Sequence, residues 1–65
     1  MRVIVNGSPQ EIPPSLTVRA LIERSKLSPD KVAIELNRRL LRGSSYDTEL
    51  KDGDEVEIVT FVGGG

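Results

Sequence analysis

The last predicted strand of this chain constrains the fold most, because residues 55–62, EVEIVTFV, are partly apolar on both faces. Alternate residues of a strand point to opposite sides of a sheet, so one face carries Val56, Ile58, Thr60 and Val62 and the other carries Glu57, Val59 and Phe61. A strand that is apolar on both sides is typical of the interior of a sheet. We therefore expect the last strand to lie between two neighbouring strands.

The chain length and the residue types present limit the classes of function that are possible. The chain has 65 residues with no cysteine and no histidine, which suits one small domain whose large apolar residues are nearly all needed in the core. Without cysteine there are no disulfides, iron–sulfur clusters or thiol nucleophiles. Without histidine the commonest general base is missing too. We expect a protein that is not an enzyme.

Charge and hydropathy give no sign of nucleic acid or membrane as a partner. The net charge is -1, which provides no general attraction to a polyanion or an anionic lipid surface. The apolar runs are too short to span a bilayer, and the N-terminus lacks the apolar core of a signal peptide. A cytoplasmic location is expected.

Apolar periodicity predicts several strands and one helix. A first strand, RVIV, runs into the turn dipeptide Asn6-Gly7, and a second short strand is predicted over residues 10–12. Helical spacing over residues 18–26 predicts a helix with Thr17 as its N-cap, and alternation over residues 32–36 predicts a third strand. A turn at Asn37-Arg38 leads into RLL, which is predicted as a short return strand over residues 39–41. The result is an α+β fold with one helix across one sheet face. The other face, with Val59, Phe61 and Ile4, would be covered by a partner or by a small cluster under a loop.

Four acidic residues near the last strand do not follow the spacing of a calcium loop. They are Asp52, Asp54, Glu55 and Glu57. We interpret them as turn residues and as charges that keep a strand soluble, and we expect no metal site.

Three arginines, Arg38, Arg39 and Arg42, lie close together in the sequence NRRLLRG. Either they lie on a solvated turn and an edge strand, where their charges discourage pairing with another sheet, or they form a docking patch for a partner or a phosphate. The sequence leaves both interpretations open.

The chain ends in Gly63, Gly64 and Gly65. Glycine has no Cβ, so it allows close backbone approach and unusual φ, and three extended residues reach about 10 Å. The reactive group is the α-carboxylate of Gly65, which needs activation by another enzyme, most simply adenylation with ATP. The alternative is a flexible end without function.

The segment LKDGDEVEIVTFVGGG, in a small strand-rich domain with one helix, resembles the ThiS-like sulfur carriers of the ubiquitin-like β-grasp superfamily. The terminal pair Gly64-Gly65 is the diagnostic part, whereas DGDEV is shared by many β-grasp domains. The resemblance implies a β-grasp domain over residues 1–62 and a flexible glycine tail over residues 63–65. It also implies a mixed sheet of four or five strands in the order 2-1-5-3-4, with the first and last strands parallel at its centre.

The same resemblance implies a reaction. A ThiF-like adenylating enzyme, using ATP and magnesium, would convert the Gly65 carboxylate to an acyl adenylate. Sulfur from a cysteine desulfurase or another donor would then leave a thiocarboxylate, which serves a ThiG-like thiazole synthase in thiamine biosynthesis. Gly63 and Gly64 would thread the enzymes' channels, Val59, Phe61 and Val62 would help to dock, and the carrier itself would bind no cofactor.

Related functions share this terminal chemistry. A MoaD-like small subunit of molybdopterin synthase, and carriers for tRNA thiolation or protein tagging, resemble the chain in the same way. A different class is a TGS-like β-grasp module that binds RNA or protein, in which Arg38, Arg39 and Arg42 would contribute and a terminal glycine is not required.

Overall fold

The five strands of this protein form one mixed sheet in the order β2-β1-β5-β3-β4 in the computed structural model, which describes residues 1–61. The strands are β1 (Arg2–Val5), β2 (Ser8–Glu11), β3 (Val32–Leu36), β4 (Arg39–Leu41) and β5 (Glu55–Thr60). The helix α1 spans Val18–Arg24, and short 3-10 turns occupy Pro29–Lys31 and Gly43–Ser45. The predicted order of the sheet is confirmed. Predictions for Val62 and for residues 63–65 concern positions outside the described residues.

Strand β5 lies between two neighbours, as its pattern predicted. It runs parallel to β1, with Val5 opposite Val56, and antiparallel to β3 along the whole of Val32–Leu36. Its two faces differ strongly, because Val56 is only 1% exposed and Val59 is 59% exposed. The difference arises because α1 covers only one side of the sheet.

Helix α1 begins where the sequence predicted. The Thr17 side chain accepts a hydrogen bond from the Ala20 amide at 3.1 Å, which satisfies one of the exposed amides of the first turn. The helix ends at Arg24, two residues before the predicted end. Lys26 there adopts a left-handed φ of 61°, a conformation that cannot continue a right-handed helix.

The core lies between α1 and one face of the sheet. The helix contributes Val18, Leu21 and Ile22, and the central strands contribute Val3, Val5, Ile34, Val56 and Ile58. Tyr46 and Leu50, from the connection between β4 and β5, are also buried. The side chains of this connection therefore help to enclose the core.

Strand β2 is shifted from the predicted residues 10–12 to Ser8–Glu11. The cause is the tight turn at Asn6-Gly7, where both residues have positive φ, 49° and 83°. This two-residue turn places Val5 directly opposite Ser8, so pairing starts immediately after it. Pro9 has no amide hydrogen to donate, and it is tolerated because β2 is an edge strand with a neighbouring strand on one side only.

None of the helices within residues 1–61 has the length and apolar character needed to cross a membrane.

Candidate docking face and C-terminal strand

The sheet face opposite α1 carries three exposed large apolar side chains. Leu40 is 71% exposed, Val59 is 59% exposed and Phe61 is 58% exposed. Val59 and Phe61 are two of the predicted docking residues, and the third, Val62, lies outside the described residues. The structure places Val59 and Phe61 where a partner could reach them, while docking itself stays a prediction.

Leu40 was not identified from the sequence as part of this face. It lies in the edge strand β4, directly opposite Glu35 of β3, and opposite residues of paired strands share a face. The two adjacent leucines of RLL do not show which of them faces the core, so Leu40 could be assigned to this face only from the register between β3 and β4. Ile4, the other residue predicted for the open face, is half-buried.

A shallow cavity of about 450 Å³ lies on this face, across β4, β3 and β5. Its lining is Ala33, Glu35, Arg38, Leu40, Glu55, Glu57 and Val59. Arg38 approaches Glu55, with 3.8 Å between Nε and Oε1. The open face is therefore apolar at Leu40 and Val59 and predominantly acidic between them.

The arginines do not form one patch. Arg38 lines the cavity of the open face, whereas Arg39 lies opposite Leu36 in the register of β3 and β4. Leu36 is in turn opposite the buried Val56, so Arg39 points to the helix side of the sheet. The structure thus divides neighbouring arginines between two faces.

The aspartates of the turn before β5 accept hydrogen bonds from backbone amides. Asp52 Oδ1 accepts a hydrogen bond from the Arg2 amide at 2.8 Å, and Asp54 Oδ2 accepts one from the Lys51 amide at 2.7 Å. Within the part of the chain that the structure describes, no group of three or more potential ligands could hold a metal ion. The interpretation of these two residues as turn formers agrees with their contacts.

Two asparagines, whose role is not evident from the sequence, fix β5 in place. Asn6 Oδ1 accepts a hydrogen bond from the Ile58 amide at 2.7 Å, and its Nδ2 donates to the Ile58 carbonyl at 3.2 Å. Asn37 Oδ1 accepts from the Glu55 amide at 2.9 Å. Both asparagines have left-handed backbones, with φ of 49° and 52°, and asparagine tolerates this conformation better than most residues.

The end of β5 is also attached on its other side. The Phe61 amide donates to the Lys31 carbonyl at 2.9 Å, which continues the pairing of β5 with β3 by one residue. The strand that leads to the glycines is thus held to its neighbours as far as Phe61. Gly63, Gly64 and Gly65, the predicted channel and modification residues, are outside the described residues.

Comparison with known proteins identifies relatives over the whole chain. The chain is 39% identical over 66 residues to a thiazole synthase of Paramagnetospirillum magneticum and 33% identical to that of Magnetococcus marinus. In both cases all of this chain is aligned, but it spans only 20% of the relative's length. The chain therefore corresponds to about a fifth of these synthases.

Two solved structures have the same fold. The crystal structure of the thiamine biosynthesis protein ThiS from Geobacter metallireducens matches with a TM-score of 0.82 and 38% identity, over 100% of both chains. A ubiquitin-like protein from Caldiarchaeum subterraneum matches with a TM-score of 0.55 and 26% identity, over 98% of this chain and 100% of its own. These matches confirm the ubiquitin-like β-grasp fold.

The family model of the ThiS family matches residues 3–65, which is all of the chain except its first two residues and includes the terminal glycines. Together with the sheet order and the structural match to ThiS of Geobacter metallireducens, this match establishes that the chain belongs to the ThiS family.

Proposed function

We propose that this protein is a sulfur carrier of thiamine biosynthesis, and that the α-carboxylate of Gly65 carries the sulfur. The observation that most supports the proposal is membership of the ThiS family with a match that reaches Gly65. The thiamine biosynthesis assignment of the Geobacter metallireducens relative supports the pathway. In this proposal the protein acts in the cytoplasm as a substrate of enzymes and binds no cofactor of its own.

The chemistry requires activation because a carboxylate is a poor electrophile: its negative charge repels nucleophiles. In the proposed first step, a Gly65 carboxylate oxygen attacks the α-phosphorus of ATP, bound with magnesium by a ThiF-like enzyme, and pyrophosphate leaves. In the second, the terminal sulfur of a cysteine desulfurase persulfide attacks the acyl carbon and AMP leaves, and a thiol then reduces the resulting acyl disulfide to release the carrier. Sulfide as the donor would displace AMP without needing this reduction. The product is a thiocarboxylate at Gly65, a better nucleophile than the carboxylate.

A thiazole synthase is the proposed recipient of the sulfur. Two relatives are themselves thiazole synthases, in which a segment similar to this chain makes up a fifth of the protein. A carrier and its recipient enzyme would have to meet in every cycle, and their presence in one chain is consistent with that requirement. Gly63 and Gly64 would pass through the narrow entrances of both enzymes, since they add no side chain.

Docking would use the open sheet face. Val59 and Phe61 are exposed there, immediately before the residues that must enter an enzyme. Burying exposed apolar side chains favours association by about 25 cal/mol per Å². We expect Val59→Ala with Phe61→Ala to raise the KM of the adenylating enzyme for the carrier and to change the Tm little, because neither side chain belongs to the core.

Intact mass spectrometry tests the modification. After incubation with ATP, magnesium, the ThiF-like enzyme and a sulfide source, the mass should rise by the replacement of one oxygen with sulfur. Deleting Gly65 moves the carboxylate inward by about 3.5 Å and should abolish the gain, while Gly65→Ala keeps the position of the carboxylate and should reduce it. An undiminished gain after deletion of Gly65 would show that the proposal is wrong.

A genetic test addresses the pathway. Loss of the protein should create a requirement for thiamine. A molybdenum-cofactor defect or a tRNA thiolation defect without a thiamine requirement would assign the carrier to another sulfur pathway.

A further inference from the structure

Two glutamates of like charge face each other across the centre of the open sheet face. Glu35 of β3 lies directly opposite Glu57 of β5, and both are exposed. Directly opposite residues have Cβ atoms about 4.5–5.5 Å apart, and like charges at such positions destabilise a sheet. This arrangement is unfavourable for the isolated domain.

Neither glutamate forms a salt bridge with any residue in the described part of the chain. The side-chain salt bridges among residues 1–61 are Arg2–Glu11, Arg19–Asp47 and Arg38–Glu55. The arginine nearest the open face is thus engaged with Glu55 rather than with Glu35 or Glu57. The cavity lining contains three carboxylates and one guanidinium.

Exposed apolar side chains flank the glutamate pair. Leu40 is opposite Glu35 on one side, and Val59 follows Glu57 by two residues on the same face of β5. Solubility alone would be served equally well by one glutamate and one lysine, which would attract each other across the strands. Two opposed glutamates beside exposed apolar side chains instead complement an apolar surface that carries a positive charge.

We propose that the open face patch, defined as Glu35, Glu57, Leu40, Val59 and Phe61, docks an apolar surface of the adenylating enzyme from which one arginine or lysine reaches between the two carboxylates. The inference rests on the proposed function, which supplies this partner. Phe61 is four residues from Gly65, a span of at most about 14 Å, so an enzyme that holds Gly65 has its surface close to the patch. One guanidinium can hydrogen-bond two carboxylates at once.

The proposal requires two effects of opposite sign. In the isolated carrier the two charges repel, so removing them should stabilise the domain. In the complex they bind the partner's cation, so removing them should weaken association. If the glutamates had only a structural role, a variant that stabilises the carrier would not bind the enzyme more weakly.

The test is the double variant Glu35→Gln with Glu57→Gln, titrated calorimetrically into the adenylating enzyme without ATP. The Kd should rise by about 3- to 30-fold, as expected for the loss of two exposed charge contacts, and the Tm of the free carrier should rise. High salt should weaken wild-type binding more than binding of the variant. Glu57→Lys should also raise the Tm, by creating a cross-strand attraction, and should weaken binding more strongly than the glutamine variant.

The control is Glu23→Gln with Glu49→Gln, which removes the same charge from exposed positions outside the patch. It should leave the Kd within about twofold of wild type. A Kd that changes equally in the two double variants, or that falls in the patch variant, overturns the proposal. So does the absence of measurable binding by the wild-type carrier.

Failure of this inference differs from failure of the proposed function. If thiocarboxylate forms at Gly65 but the patch variant binds like wild type, the docking chemistry is wrong and the carrier function stands. If the patch variant binds more weakly as predicted but no thiocarboxylate forms, the docking stands and the proposed role of Gly65 is wrong.

Discussion

Replacing Asn6 with alanine should destabilise this protein more than its exposed position at a turn would indicate. Strand β1 pairs with β5 only as far as Val5 and Val56. Beyond that point the Asn6 side chain takes the place of the next strand residue, because it accepts from the Ile58 amide at 2.7 Å and donates to the Ile58 carbonyl at 3.2 Å. A hydrogen bond contributes about 0.5–1.5 kcal/mol net, so losing both costs about 2 kcal/mol.

The backbone adds a second cost. Asn6 has a φ of 49°, and a left-handed conformation costs most residues with a Cβ about 1–2 kcal/mol. Asn6→Ala should therefore lower the free energy of unfolding by about 3 kcal/mol. Asn6→Asp keeps the acceptor for the Ile58 amide and the tolerance of positive φ, and loses only the donor. It should cost about half as much as alanine.

Urea and thermal unfolding measure both variants. For a domain of this size 1 kcal/mol shifts Tm by about 4–8 °C, so Asn6→Ala should lower it by about 12–24 °C. Hydrogen exchange at the Ile58 amide should accelerate in Asn6→Ala more than in Asn6→Asp. Ser8→Ala, in the same hairpin and exposed, is the control and should stay within about 0.5 kcal/mol of wild type. Equal destabilisation by aspartate and alanine, or an alanine variant as stable as wild type, would refute the reasoning.

Three further predictions concern the cap and the core. Thr17→Ala removes the bond to the Ala20 amide and should cost about 1 kcal/mol in urea unfolding; no loss would mean that the cap is not formed in solution. The Ile34 side chain is 0% exposed, so Ile34→Ala should lower the free energy of unfolding by about 2–5 kcal/mol and leave much of the chain unfolded by circular dichroism. Leu40 is 71% exposed, and Leu40→Ala should have a stability near that of wild type. Equal effects of the two substitutions would contradict the assigned core. Tyr46→Phe should cost less than about 1 kcal/mol, because the hydroxyl donates to the backbone at 3.5 Å, the long limit of a hydrogen bond; a larger loss of Tm would indicate a stronger bond than the structure gives.

Elements whose signals are local in the chain were predicted well. Strand β3 has the predicted residues 32–36, because its alternation is complete and a turn precedes it. The start of α1 follows from Thr17, whose capping bond lies within three residues of it. The end of α1 and the position of β2 were less accurate, because both depend on backbone conformations at Lys26 and at Asn6-Gly7 that residue type only partly determines.

In the candidate site, too, features with local signals were predicted, whereas features that depend on long-range contacts were not. Exposure of Val59 and Phe61 was anticipated, since a single helix covers one face of a sheet. Leu40 was missed because its side of the sheet depends on its register with Glu35. The roles of Asn6 and Asn37 were missed because their partners on β5 are 52 and 18 residues away.

The sequence by itself determined that the last strand is interior, that one helix covers one face, and that the chain resembles ThiS-like carriers. Alternation, the helix cap and the terminal glycines are local properties that can be recognised from neighbouring residues of the sequence. Only the tertiary structure decided which side of β5 is open, and that Glu35 meets Glu57 there. These two residues are 22 positions apart in the chain, and their proximity results from the register of β3 on β5, which is fixed by burying Ile34 and Ile58 together against the helix.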